Sequence, residues 1–461
     1  MTQLPQTARV AIVGAGPAGL YAADILTGLV PGAQIDVLEA LPSPFGLIRY
    51  GVAPDHPRIK SIVDSLHAIL DRGDVRFFGN ITVGRDVTLE ELRQRYDAVV
   101  LATGALRDAA MDIPGVDLPG SFGAADFVAW YDSHPDYPPT WSLDAESVAV
   151  IGNGNVALDV VRVLARRPAE LAQTDIPAHV LEAFAGSPVR DIHVFGRRGP
   201  AAVKFSPLEL RELGEVPGVT VVLDDRDFEF DESDHAAIKA NGRLRQAVKT
   251  MERWRAVQGE SGDFDPEGRR VHLHFYWRPE RVEGEAAVTG LTLRRTAPDG
   301  SGGVVDTAES RTFPVGAVYR AVGYFGSPVE GAPYDQASGV VPNHAGRVFD
   351  ASGAAVPGLY ATGWIKRGPV GLIGSTKSDA LETASNIAAD LPGLVLAPDR
   401  EPDSLVRLLH SRSVDVVTWT GWLAVDAAER ANGIATGRER AKFGTRQQMC
   451  AAAKIRPLSR F

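Results

Sequence analysis

Gly14, Gly16 and Gly19 stand in GAGPAG, directly after the apolar run RVAIV (9–13) and before the helical pattern LYAADIL. Strand, glycines and helix in that order suit a dinucleotide pyrophosphate. The first glycine permits the tight turn, the second lets the backbone approach the phosphates, and the third lets the helix pack close on the strand. Pro17 fits the first helical turn, where its missing N–H costs nothing. The helix N-terminus then offers free N–H groups to an anion. The next strand, QIDVLEA, places Glu39 20 residues after Gly19, the spacing of a carboxylate that holds a ribose hydroxyl. That acid alone does not choose between NAD and the adenosine half of FAD.

The arrangement recurs in SVAVIGNGNVALDVVRVLARRP (147–168). Gly152 and Gly154 take the first two glycine places, and Ala157 takes the third, where a small substitute is permitted. Backbone N–H groups of Asn153, Asn155 and Val156 would line the phosphates. The following strand, DIHVFGRRGP, ends in Gly196–Arg197–Arg198 and not in an acid. A carboxylate would repel a 2′-phosphate, whereas a guanidinium pairs with it in a bidentate, permanently charged contact. The site should therefore prefer NADP(H), although two arginines at a strand end also suit plain solvated surface. About 40 residues separate Ala157 from Arg197, roughly twice the usual connection, so the crossover carries an insertion.

Two later segments choose FAD for the first site. YDAVVLATGA (96–105) is a buried-strand pattern ending in small residues, and GLYATGWIKRGPVGLIGSTKSDALETASNIAADL (358–391) repeats that ending at Ala361–Thr362–Gly363. A glycine-rich loop and a long helix follow. This resembles the two-dinucleotide flavoenzymes, in which such a segment returns the chain to the FAD domain and its helix N-terminus points at the flavin end; Gly371 and Gly374 would then allow close backbone approach. The expected fold is α/β with two Rossmann-like dinucleotide-binding domains. The NADP-binding domain, 107–325, is inserted in a discontinuous FAD-binding domain, 1–106 and 326–461, with the return near VYRAVGYFGSPV (318–329). Residues 225–310 read as polar and strand-rich, and 400–461 as a helical extension.

The bulk properties narrow the chemistry. A chain of 461 residues calls for two or three domains. It holds no run of 18 or more apolar residues, and its first apolar run leads straight into a glycine motif, so the expectation is a cytoplasmic protein without a signal peptide. Cys450 is the only cysteine, which leaves no intrachain disulfide, no CxxC pair and no four-cysteine cluster. Electrons must then travel through a bound organic cofactor. A net charge of −10 argues against general nucleic-acid binding. From Arg430 onward, however, eight basic residues (Arg430, Arg438, Arg440, Lys442, Arg446, Lys454, Arg456 and Arg460) face only Glu439. That cluster is either solvated surface or a docking patch.

At PSPFGLIRYGVAPDHPRIK (42–60) the chain resembles the ferredoxin–NADP⁺ reductases of the adrenodoxin-reductase type, bacterial members included. The resemblance spans nearly the whole sequence, through RFFGNITVG (76–84), ADFVAWY (125–131), IGNGNVALDVVR (151–162), GRRGP (196–200), LELREL (208–213), GWIKRGPVGLIGSTK (363–377) and NGIATGRER (432–440). It implies an FAD enzyme that takes hydride from NADPH and gives single electrons to a ferredoxin, a small acidic iron–sulfur protein. By the same resemblance Ala18, Glu39, Leu47, Val83, Trp364 and Gly371–Leu372–Ile373 contact FAD. Asn153, Gly154, Asn155, Val156, Arg197, Arg198, Glu209 and Gly371 contact NADP, and His56 and Glu212 belong to the reaction centre. One departure is Ala109, where some relatives carry a further NADP-contacting arginine; here Arg107 lies two residues earlier.

Hydride transfer needs the nicotinamide and flavin held about 3–3.5 Å apart. Trp364 suits either a ring beside them or a core tryptophan, and the His56 imidazole suits a proton relay or an orienting role. Other readings are an NADPH-dependent monooxygenase or diaphorase with a different acceptor, and a non-enzymatic redox-sensing flavoprotein.

Overall fold

A computed structural model describes residues 7–260, 268–371 and 373–453. The chain divides into two compact units. One gathers the described residues of Met1–Arg107, Asp132–Asp136 and Tyr324–Phe461, and the other those of Asp108–Tyr131 and Tyr137–Gly323. No helix among the described residues is long and apolar enough to cross a membrane.

The first unit is built on an eight-stranded sheet. Its order is Asn343–His344, Arg347–Phe349, Ala355–Ala361, Ala98–Leu101, Arg9–Val13, Gln34–Glu39, Val75–Gly79 and Val417–Thr418. The five strands from Ala355–Ala361 to Val75–Gly79 run parallel, and the edges pair antiparallel. RVAIV and AVVL are buried along their whole length, as parallel strands covered on both faces must be. Val10 and Ile12 join one core with Leu20, Ala23 and Leu26 of the helix Pro17–Leu29 and with Ala380, Ala384 and Ile387 of the helix Ile373–Asp390. Ala11 and Val13 point to the opposite core, with Leu101, Leu359, Leu405 and Leu409. The last part of the chain is helical, as Ser404–Ser411, Trp419–Ala435 and Arg446–Ala452.

The second unit centres on six strands, in the order Ser121–Gly123, Ala317–Arg320, Ser147–Ile151, Asp191–Phe195, Arg269–His274 and Val219–Leu223, all parallel. An antiparallel sheet of Trp277–Gly284, Val288–Pro298 and Val304–Phe313 shares a core with it, through Ile151, Phe195, Val318, Leu291, Leu293 and Phe313. The long crossover after Ala157 contains the short helices Pro168–Leu171 and Ala178–Ala185. The strand-rich reading of 225–310 holds only for its later half. Its earlier half forms the helices Glu232–Ala240 and Gly242–Glu260. Asp231 starts the first with a reciprocal capping box to Asp234. Among its described side chains the second buries only the narrow stripe Ala247, Val248 and Met251, too thin an apolar face to signal helix from sequence.

Candidate dinucleotide-binding sites

In the first unit the strand Arg9–Val13 turns at Gly14, whose φ is +114°. A Cβ there would stand 2.4 Å from the Ala102 carbonyl oxygen, and one at Gly19 would stand 2.0 Å from the Gly14 oxygen. Both positions therefore exclude any side chain. Gly16 caps the helix Pro17–Leu29 without a side-chain hydrogen bond, which leaves the first N–H groups available to an anion. The loop before Leu47 lies on this turn. Phe45 N–H donates to the Ala15 carbonyl at 2.8 Å, and a Cβ on Gly46 would come 3.1 Å from the Gly16 Cα. The Glu39 carboxylate accepts from Ala15 N–H at 2.8 Å and from Leu41 N–H at 3.1 Å. Burial pushes this carboxyl above its ordinary value, against those two bonds.

The second ATG segment meets the same helix. Gly363, at φ +75°, sits so close to Ala18 that a Cβ would fall 2.5 Å from the Ala18 Cβ. Asp379, on the long helix that follows, accepts from Gly363 N–H at 2.6 Å and from the Thr362 hydroxyl at 3.2 Å, and pairs with Lys366 at 3.0 Å. Trp364 is half-buried, with its ring tilted on Tyr324 at 6.5 Å. Gly14, Gly16, Ala18, Gly19 and Glu39 are thus gathered at one helix N-terminus, against which pack the loop leading to Leu47 and the Gly363 turn preceding Trp364. Val83 is half-buried and bridges Val87. Gly371 has φ +89°. Leu372 lies outside the described residues, and of Ile373 only the backbone is described, as the start of the long helix. His56 is buried, with its N–H bonded to the Ala53 carbonyl.

In the second unit Gly152 has φ +149°, and a Cβ there would stand 2.3 Å from the Ala321 carbonyl oxygen. Gly154 caps the helix Asn155–Ala165 with no side-chain hydrogen bond, and an added Cβ would meet no heavy atom within 4 Å. The space in front of that helix is open. Asn153 covers Gly196, where a Cβ would fall 2.1 Å from its Nδ2. The Asn155 side-chain oxygen accepts from Ser206 N–H at 2.8 Å. Ser206 in turn caps the helix Pro207–Gly214, which carries Glu209 and Glu212. Glu209 is buried and pairs with Arg162 at 2.9 Å; the fully buried Arg162 also pairs with Asp159 at 2.6 Å. Arg197 is exposed and Arg198 half-buried. Their carbonyl oxygens accept from the Thr296 hydroxyl at 2.8 Å and Tyr276 N–H at 3.3 Å, which fixes the backbone while the guanidinium groups stay clear of carboxylates among the described residues.

Two points that the sequence left open meet their surroundings in the structure. Arg107 donates to the Gly326 carbonyl at 3.0 Å and the Tyr334 hydroxyl at 3.1 Å within the first unit, so its guanidinium is already engaged there. Among the described residues of the basic C-terminal cluster, Arg430 is exposed and pairs with Asp426 on its own helix at 2.9 Å, while three others tie distant segments together. Arg440 pairs with Glu429 at 2.8 Å, Lys442 with Asp132 at 3.1 Å, and Arg446 with Asp136 at 2.7 Å through its second nitrogen. Buried Arg49 reaches the same Glu429 at 2.6 Å. Arg440, Lys442 and Arg446 thus tie the C-terminal helices to the rest of the first unit. Lys454, Arg456 and Arg460 lie outside the described residues.

Residues 8–185 match the family described as pyridine nucleotide-disulphide oxidoreductase. Over 454 residues the chain is 39% identical to the NADPH-ferredoxin reductase FprA of Mycobacterium tuberculosis, covering 95% of this chain and 97% of the relative. It is 37% identical over 459 residues to the mitochondrial NADPH:adrenodoxin oxidoreductase of Arabidopsis thaliana, covering 96% of this chain and 95% of that one. The solved structure of Mycobacterium tuberculosis FprA in complex with NADPH superposes with a TM-score of 0.87 at 38% identity, over 97% of this chain and 100% of that chain. The chain belongs to the NADPH–ferredoxin reductase family. Its two Rossmann-like sheets are the dinucleotide-binding folds of that family. With Cys450 as the sole cysteine, this member has no intrachain dithiol of the kind the broader disulphide-reductase description suggests. Asp379 and Arg162 escaped the sequence reading, since no spacing rule ties them to the glycine motifs.

Proposed function

We propose that this chain carries electrons between NADPH and a ferredoxin-type iron–sulfur protein, with FAD held at the Gly14 turn and NADPH at the Gly152 turn. The observation that carries the assignment is the contrast between the two following strand ends. Glu39 turns inward onto the Ala15 N–H, whereas Arg197 and Arg198 stand clear of carboxylates among the described residues. Bound FAD supplies the conversion chemistry, accepting a hydride pair and releasing electrons singly.

The protein's part is to bind, orient and exclude. Gly14, Gly16 and Gly19 admit the FAD pyrophosphate to the helix N-terminus, and Glu39 holds a ribose hydroxyl. Ala18, Leu47, Val83, Trp364 and Gly371–Leu372–Ile373 line the rest of that cofactor. Backbone N–H groups of Asn153, Gly154, Asn155 and Val156 receive the NADPH pyrophosphate, and Arg197 and Arg198 clamp its 2′-phosphate. Glu209 contributes to the same site from its pair with Arg162. His56 holds or moves a proton at its imidazole, and Glu212 orients the reaction centre. The partner is an acidic iron–sulfur protein whose docking weakens as salt rises.

The test is stopped-flow absorbance of the flavin-loaded protein mixed with NADPH and then with a ferredoxin. Rapid bleaching followed by loss of the acceptor's oxidised visible band is the expected result. Bleaching without transfer to any ferredoxin would move the function to another acceptor, and no bleaching would remove the enzyme reading.

A further inference from the structure

We propose that His193, His272 and His274 form a binding site for one divalent transition-metal ion of the zinc class, within the second unit. His272 and His274 alternate along the strand Arg269–His274, so both side chains leave the same face of the sheet. His193 lies on the neighbouring parallel strand, in register with His272. The three residues can each offer a nitrogen, all within 4.8 Å of one another.

His193 Nδ1 and His274 Nε2 share a hydrogen bond at 2.9 Å, whose proton an ion would displace. Two nitrogens on one tetrahedral zinc, each about 2.0–2.1 Å from the ion, stand roughly 3.3 Å apart. His272 Nε2 lies 2.7 Å from the Asp191 carboxylate, which is itself held by Arg270 at 2.6 Å. A carboxylate on one ring nitrogen fixes the tautomer and leaves Nδ1 as the lone pair, the usual support of a metal-bound imidazole. Phenylalanine would fill these positions beside Phe195 and Phe313 without desolvating three polar rings.

Access and ligand type follow from the surroundings. A cleft of about 360 Å³, lined by His272, His274, Asp224, Asp225, Arg226 and Arg311, gives an ion and water a path to two of the three imidazoles. Its two acidic and two basic side chains leave the cleft near neutral. Three imidazoles favour zinc, copper or nickel over magnesium or calcium, which seek oxygen. The rings are now stacked, with planes 7° to 20° apart. Coordination therefore turns them about their broad χ2 torsions.

The experiment is calorimetric titration of untagged, flavin-loaded, chelator-treated protein with Zn²⁺, repeated on His274→Phe, His193→Phe and Asp191→Asn. One equivalent is expected to bind wild type and to be lost in both phenylalanine variants, with flavin and NADPH binding unchanged as proof of folding. Asp191→Asn should weaken the site by about 10–100-fold. Should the phenylalanine variants fail to fold, crystals of wild type soaked with Zn²⁺ decide. An anomalous peak bonded to at least two of the three imidazoles supports the site. No stoichiometric binding by wild type, binding undiminished in folded His274→Phe, or zinc elsewhere in the crystal would overturn it.

Discussion

The two glycine turns solve one backbone problem and differ at two side-chain positions. Gly14 and Gly152 each pass so near a neighbouring strand end that a Cβ would lie 2.4 Å and 2.3 Å from a carbonyl oxygen. Both helices start at a glycine cap with no side-chain partner. The third position separates them. A Cβ at Gly19 would fall 2.0 Å from the Gly14 oxygen, whereas the second turn accommodates the buried Ala157. The next strand end separates them further, with Glu39 bonded inward and Arg197 exposed. The phosphate cradle is therefore a property of the backbone, and the choice of dinucleotide rests on one or two side chains at the following strand end. One fold can hold two different nucleotides in a single chain on that basis.

The sharpest way to break this comparison is to damage each turn separately. Gly14→Ala and Gly152→Ala each force a side chain into a left-handed conformation, at about 1–3 kcal/mol, and add overlap with a carbonyl. Gly14→Ala is expected to purify without flavin absorbance. Gly152→Ala should keep its flavin but lose bleaching by NADPH. Flavin loss confined to the Gly152 variant would reverse the assignment of the two turns. A smaller effect is expected from Arg197→Ala and Arg198→Ala. Each deletes charge-assisted bonds worth about 1.5–3 kcal/mol, so the KM for NADPH should rise about 10- to 100-fold while that for NADH barely moves. Equal changes for both coenzymes would remove the 2′-phosphate role.

What could be read from the sequence follows the same division. The turns were legible because backbone geometry fixes both residue type and spacing: only glycine tolerates φ +114° against a carbonyl, and it does so five residues before Gly19 closes the helix on the strand. The ATG strand ends were legible for a related reason, as Gly363 touches Ala18. Long-range ion pairs leave no such trace. Lys442 and Asp132 are 310 residues apart, and Arg49 and Glu429 are 380 apart. Counting charges after Arg430 therefore could not reveal that Arg440, Lys442 and Arg446 are paired. The helix Gly242–Glu260 was missed because its buried stripe is narrow, and Asp379 because its partners are backbone and hydroxyl groups with no fixed spacing to it.

The smallest expected effect concerns the acid that marks the first turn. Glu39→Gln retains one oxygen for one N–H but presents an amide nitrogen to the other, and it loses the charge. Replacing a charged by a neutral hydrogen bond costs about 1 kcal/mol, so FAD should bind roughly fivefold more weakly. The pH dependence has a definite sign. Burial raises the Glu39 carboxyl in the folded chain above its ordinary value. Between the unfolded and folded values the folded protein holds more protons, so the stability of the flavin-free protein falls as pH rises through that window and is level above it. Glu39→Gln should lack this contribution to the slope, read as the difference between the two urea-midpoint profiles from acid to neutral pH. Parallel profiles would mean that Glu39 titrates alike in the folded and unfolded chain. The inward-turned carboxylate would then be a solvated acid, and the contrast with Arg197 and Arg198 would rest on the arginines alone.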